Sequence, residues 1–377
     1  MGEQLGIRAT FMRGGTSKGL FFRWEDLPAD AAERDGFLCV AMGSPDGFGR
    51  QLDGMGGGIS SLSKAMMVRR SDRAGVDIDY LFAQVAIGAA EVDYAANCGN
   101  LSAAVGCFAV DQGLVQLPDG PGVVRMWNEN TSKRIDCHLE VRAGRAAVQG
   151  EEVIAGVTGS GAPIRLAFQE PGGASSGKLL PTGARVDLAE VDGRQIEYSF
   201  VDAANPCVFV RGKDLGCAAD ALPSQIDARP ELLIALDAIR RQAAAAAGLE
   251  PTAGAPKIAL TSPPMDFTTL AGDRIAAEEI DILIRMVSVG QPHLAIPLTG
   301  ALCTAVAAGI AGTLVNEAVR MIEPGAAIRI GTPSGVVPAG ADMAPGPLAR
   351  SASVYRTART LMEGTVYAPT DRTGGAA

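Results

Sequence analysis

Three segments from the first half of this chain return, in the same order, in the second half. Phe21-Phe22-Arg23-Trp24-Glu25-Asp26-Leu27 is echoed by Phe209-Val210-Arg211-Gly212-Lys213-Asp214-Leu215. Lys64-Ala65-Met66-Met67-Val68 is echoed by Lys257-Ile258-Ala259-Leu260-Thr261. Cys98-Gly99-Asn100-Leu101-Ser102-Ala103-Ala104-Val105 is echoed by Thr299-Gly300-Ala301-Leu302-Cys303-Thr304-Ala305-Val306. The spacing between partners drifts slowly, as small loop insertions would make it. One echo alone carries little; three in order predict two similar domains. The expected first domain is 1–182 and the second 183–348, with 349–377 packing back on the first. Arginines in that tail are spaced for an exposed face. Gly-rich 172–177 and Pro181-Thr182-Gly183 mark the boundary.

Each half reads as strands around one helix. In the first half, 19–23, 65–69, 76–87, 123–126, 135–141 and 146–149 are short, rich in Val and Ile, and bounded by turn residues, which predicts strands. Residues 100–111 form an apolar, small-residue run closed by Gly113, which predicts a buried helix. In the second half, 197–201, 207–210, 257–260, 280–287 and 327–330 read as strands, with a central helix over about 300–309. Residues 231–247 predict a separate Ala-rich helix. The fold class is α+β.

The chain has 377 residues, enough for two cores, and only 5% aromatic residues, so those cores are built mostly from Ala, Val, Ile and Leu. A net charge of −9 argues against nucleic acid or an anionic membrane as partner and leaves a small-molecule ligand. The seven cysteines are irregularly spaced with no C-x-x-C, which predicts reduced thiols and a cytoplasmic location. Only His138 and His293 are present and no His/Cys cluster occurs, so no metal site is expected. Neither a signal-peptide layout nor a membrane-length apolar run is visible. A homo-oligomer is expected.

Five segments carry chemistry. In Asn97-Cys98-Gly99-Asn100, a cysteine stands at a helix start, where unpaired N–H groups and the helix dipole favour an anion and a thiolate. Gly99 and Asn100 let a ligand approach the backbone. The alternative is an ordinary buried cysteine. In Arg13-Gly14-Gly15-Thr16-Ser17-Lys18-Gly19, backbone and hydroxyl donors of Thr16 and Ser17, with Arg13, suit a carboxylate; the alternative is an exposed hairpin turn. A second glycine loop, 51–64, contains Gly57 and Ser60 as candidate substrate contacts and delivers Lys64 into an apolar strand, where partial desolvation makes a usable base. Asn205 precedes a strand and suits a carboxylate or an Asx turn. His293 suits a carboxylate, a proton carrier or a structural loop. Thr299, Gly300 and Ala301, which mirror the Cys98 segment, are candidate backbone donors for a second carboxylate.

Taken together, R-G-G-T-S-K-G, the glycine loop running into S-x-S-K, N-C-G-N-L-S-A-A-V-G, A-N-P-C-V-F-V and P-L-T-G-A resemble the methylaconitate isomerase / 4-oxalomesaconate tautomerase family, from Arg13 to about Tyr367. The resemblance implies a diaminopimelate epimerase-like fold: two pseudo-symmetric domains, each a curved sheet around a central helix, with the active site between them at both helix N-termini. It implies Lys64 and Cys98 as acid–base groups and no cofactor. Two-base epimerases of this fold use one cysteine from each domain. Here Thr299 holds the second place, and Cys303, one turn deeper, reads as packing. Thr299 therefore speaks against proline-racemase-like epimerisation. The implied reaction is a 1,3-allylic proton shift on an unsaturated tri- or dicarboxylate. The first expectation is 4-oxalomesaconate, in the breakdown of gallate or lignin-derived aromatics. The alternatives are 2-methylaconitate cis–trans isomerisation in propionate use, and a non-catalytic carboxylate-binding protein, which would not need both Lys64 and Cys98.

Overall fold

The first hairpin joins β1 (Gln4–Gly14) to β2 (Ser17–Arg23), antiparallel, with Gly14 opposite Ser17. In the computed structural model, which describes residues 3–94, 98–154, 156–252, 255–288, 290–320 and 326–373, this hairpin opens one of two compact units. The first unit is Met1–Ala167 with Tyr355–Ala377 and the second is Phe168–Val354.

Within the first unit, β2 lies parallel to β3 (Lys64–Arg70), which is antiparallel to β4 (Ile78–Val85). β4 runs parallel to Gly120–Asn128, which forms a hairpin with Lys133–Arg142. At the other edge, Ala358–Pro369 pairs along the length of β1, so the chain's tail is a sheet strand. A parallel join needs a crossover. The first crossover carries helix α1 (Ala31–Met42) and the second carries α2 (Gly99–Asp111).

The two helices take opposite faces of the sheet. Every residue of α2 from Leu101 to Val110 is buried. The helix packs against β1, β2, β3, both strands of the later hairpin and the tail strand, so the sheet curves around it. Small side chains permit this: a Cβ on Gly106 would lie 2.5 Å from Cys137 Sγ. On the outer face, Phe37, Leu38 and Met42 of α1 share a core with Phe22, Met67 and Ala83. Sequence periodicity misses α1 because Gly36 interrupts its middle and weakens its helical signal. Its stability comes from burying that apolar face, a tertiary effect.

The second unit repeats the plan. Arg194–Ala203 and Asn205–Arg211 form the hairpin, and the latter lies parallel to Lys257–Ser262 across a connection carrying helix Pro230–Ala246. Lys257–Ser262 is antiparallel to Ile282–Ser288, which runs parallel to Ile328–Thr332 across a connection carrying helix Leu298–Ala308. Ile328–Thr332 then pairs with Gly335–Ala344. Strand order and directions match the first unit, so the echoes in sequence mark equivalent elements. Lys64 and Lys257 each open the strand parallel to the hairpin's second strand.

Two expectations change. The strand expected at 146–149 shrinks to Arg145–Ala146. The tail arginines do not share one exposed face: Arg350 and Arg359 are exposed, whereas Arg356 is 9% exposed. A buried arginine needs partners, and Arg356 finds them at the start of α2. Among the described residues, no helix is long and apolar enough to cross a membrane.

Candidate active site

Cys98 is itself the cap of α2, with extended backbone (φ −104°, ψ 91°) and no side-chain cap bond. The first helical hydrogen bond runs from Ser102 N–H to Cys98 O at 2.9 Å. The N–H groups of Gly99, Asn100 and Leu101 therefore have no partner inside the helix. Asn97 lies outside the described residues. The Cys98 thiol is buried, with Sγ 3.9 Å from Ser17 Oγ. A polar chain anchors the cap from behind: Ser102 Oγ donates to Cys98 O at 3.0 Å and shares a 2.9 Å bond with Tyr80 Oη, which accepts from Asn128 Nδ2 at 2.8 Å. Burial pushes the Tyr80 phenol up, so it stays neutral and structural.

Lys64 is also buried, at 8% exposure. Its Nζ donates to Gln84 Oε1 at 2.6 Å and lies 4.8 Å from the centroid of the Phe82 ring. β2 brings Lys64 and Cys98 to one place. Ser17 and Gly19 are two residues apart and so share a face of the strand. Ser17 reaches the thiol, and Gly19 abuts Lys64: a Cβ at Gly19 would lie 2.4 Å from Lys64 O and 3.2 Å from Leu101 Cδ1. Both acid–base candidates thus stand on the sheet face that α2 covers.

The glycine loop before Lys64 is held by a buried amide. Gln51 Nε2 donates to Ser44 Oγ at 2.9 Å and Ser63 Oγ at 2.7 Å, and its Oε1 accepts from Gly58 N–H at 3.0 Å. Gly57 and Ser60 are exposed. Gly57 packs on Leu62, and the Ser60 carbonyl accepts from Gln84 Nε2 at 3.1 Å.

The first glycine motif is arranged differently from expectation. Arg13 Nη1 donates to the carbonyls of Gly15 at 3.0 Å and Thr357 at 3.1 Å, so this guanidinium ties the turn to the tail strand. The arginine that reaches the helix start is Arg356. Arg356 Nε donates to Asn100 Oδ1 at 3.0 Å, and Asn100 Nδ2 donates to Thr16 Oγ1 at 3.1 Å. Burial pulls the Arg356 pKa down to about 10, with Glu152 and Cys98 acting the other way, so it remains a cation at neutral pH. Gly15 has φ +50°, and a Cβ there would lie 2.4 Å from Asn100 Oδ1, which is why glycine is required. Nothing local in the sequence flags Arg356, whose partner is 256 residues away.

In the second unit, Asn205 Oδ1 accepts from Lys257 Nζ at 3.2 Å. His293 Nδ1 accepts from Ala295 N–H at 3.1 Å, which leaves the ring proton on Nε2. Burial lowers the His293 pKa, Lys257 adds to the effect, and the ring is neutral at pH 7. The central helix begins at Leu298 with Pro297 as its cap, two residues before the echo of Cys98. Thr299 and Gly300 lie in its first turn with N–H groups unpaired within the helix. Ala301 leaves the donor set, because its N–H already donates to Pro297 O at 2.9 Å. Cys303 is fully buried with Sγ 3.3 Å from Val201 O, and burial, with Cys207 adding, raises its pKa, which keeps it a thiol.

The chain matches the PrpF protein family over residues 4–369. It is 38% identical to 2-methyl-aconitate isomerase of Shewanella oneidensis, over 97% of this chain and 98% of that protein. It is 36% identical to (4E)-oxalomesaconate Delta-isomerase of a Novosphingobium species, over 95% of this chain and 96% of that protein. The solved structure of a methylitaconate-delta-isomerase superposes with a TM-score of 0.94 at 37% identity, covering 100% of this chain and 99% of that chain. The α+β fold is diaminopimelate epimerase-like.

Proposed function

The chain belongs to the PrpF family and is an isomerase, and from that premise we propose that it moves a carbon–carbon double bond in a small unsaturated di- or tricarboxylate by a 1,3-proton shift, without a cofactor. The observation that carries this reading is the setting of Lys64: a buried amine facing a neutral amide oxygen and an aromatic ring. Such an amine is aimed and, among the described residues, has no ion-pair partner, as a general base requires.

Lys64 takes a proton from the carbon next to the double bond. The C–H electron pair becomes part of a dienolate spread onto carboxylate or carbonyl oxygens, and the conjugated substrate itself is the electron sink. The N–H groups of Gly99, Asn100 and Leu101 at the start of α2, with the hydroxyls of Thr16 and Ser17, would stabilise that charge. Lys64 or Cys98 then delivers a proton two carbons away, and the double bond has moved. One group serving both carbons gives a same-face shift; two groups permit opposite faces. Within the second unit, Asn205, His293, Thr299 and Gly300 are proposed as neutral carboxylate-binding donors.

Relatives named for 2-methylaconitate, methylitaconate and oxalomesaconate stand at 38%, 37% and 36% identity. Overall likeness does not single out 4-oxalomesaconate, the substrate to which the sequence motifs lean, so the proposal is the class that the three acids share. Proton NMR in deuterated water, with each acid supplied separately, tests it. Double-bond migration with deuterium gained is expected for one of them. No exchange in any of the three would overturn the isomerisation proposed here.

A further inference from the structure

We propose that Gln84 is the positioning residue for Lys64: it aims the amine toward the start of α2 and, being neutral, leaves it free to lose its proton. The inference rests on the reading of Lys64 as the base. Gln84 stands directly opposite Lys64 in the β3–β4 register. Its Nε2 donates to the carbonyls of Ser60 at 3.1 Å and Ser63 at 2.8 Å. With both amide hydrogens held by main chain, the carboxamide cannot flip, and Oε1 is left facing Lys64 Nζ at 2.6 Å. Phe82, two residues earlier on the same face of β4, closes the other side of the ammonium. A flexible four-carbon stem is thereby held in one direction. The run into S-x-S-K gains a purpose: the carbonyls of Ser60 and Ser63 are the mount for the amide that mounts the lysine.

Among the described residues, few charges stand near Lys64. Asp93 stands opposite Gln84 in the short strand Val92–Asp93, exposed to solvent. On β2, Lys18 lies over the Phe11 ring on the other face of the strand. At the far end of β4, Asp79 pairs with Arg69 and Arg73, while Tyr80 stays neutral. A carboxylate at position 84 would stabilise the ammonium form and delay its deprotonation.

The test compares Gln84→Glu, Gln84→Met and Lys64→Ala, using whichever of the three acids exchanges in the NMR assay, with kcat and KM followed between about pH 6 and 10. Gln84→Glu is expected to move the acid limb of kcat upward by about one pH unit, an approximately tenfold loss at neutral pH that recovers in base. Gln84→Met keeps the volume but loses the acceptor, and kcat is expected to fall about 10–100-fold with KM within about twofold. An unchanged pH profile for Gln84→Glu, or a KM effect without a kcat effect for Gln84→Met, overturns the positioning role. Gln84→Met also decides the matter if the glutamate variant does not fold. The control separates the two ideas. If Lys64→Ala isomerises at the wild-type rate, the base reading itself fails. If Lys64→Ala is inactive while both Gln84 variants behave as wild type, only the role of Gln84 fails.

Discussion

At the scale of single residues, Cys98 occupies a position for which cysteine is a poor choice on stability grounds. A helix cap normally accepts a hydrogen bond from an early N–H, and Cys98 makes no such bond. Cys98→Ser should therefore stabilise α2 by about 0.5–1 kcal/mol. The new hydroxyl would engage an N–H that the substrate needs, and the thiol would be gone. A higher melting temperature together with slower deuterium exchange is the expected pair of results. Unchanged values of both would show that the thiol neither limits the cap nor serves the reaction. The motif N-C-G-N before a small-residue run made Cys98 legible, because caps and helix starts are written in adjacent residues. Arg13 and Arg356 show the opposite case. Local sequence offers Arg13 to the anion because it adjoins two glycines. The fold ties Arg13 to two carbonyls and brings Arg356 to Asn100 instead.

At the scale of elements, the face of β2 is what sets Lys64 and Cys98 together. Gly19→Ala would put a methyl 2.4 Å from the main-chain oxygen of Lys64, which has no rotamer to yield. β2 and β3 would have to part, at a cost of about 1–3 kcal/mol. The urea midpoint and the isomerisation rate should fall together, and an alanine variant with wild-type stability would refute the close packing. Helix starts show how far sequence comparison reaches. Matching like residues sets Thr299 against Cys98, whereas the helix itself begins after Pro297, so Thr299 lies in the first turn. The echo finds the equivalent helix but not its equivalent cap, because a start depends on where the backbone turns and on which N–H finds a partner. α1 escapes the pattern for a related reason: its apolar face exists only against the core formed by β1 to β4 and the tail strand.

At the scale of the whole molecule, both histidines of the chain have pKa values lowered by burial, with Arg165 adding at His138 and Lys257 at His293. In the unfolded chain they titrate near ~6.5. The folded state therefore binds fewer protons as pH falls through that value. Their contribution to stability is complete above it and is lost as pH drops toward the folded values. The urea midpoint should be lower at about pH 5.5 than at about pH 7.5, and both imidazole NMR titrations should centre below ~6.5. A histidine centred above that value would contradict the burial described here. By itself, the sequence determined the duplication and the strand–helix plan of each half, because repeats and periodicity are properties of neighbours along the chain, and its motifs, by their resemblance to a known family, pointed to Lys64 and Cys98. Tertiary structure alone decided that Gln84 faces Lys64, that Arg356 reaches Asn100 at the start of α2, and that Arg13 bonds the Thr357 carbonyl. Those outcomes depend on strand register and on partners 20 to 344 residues apart, and no local pattern records which side chains a sheet will place face to face.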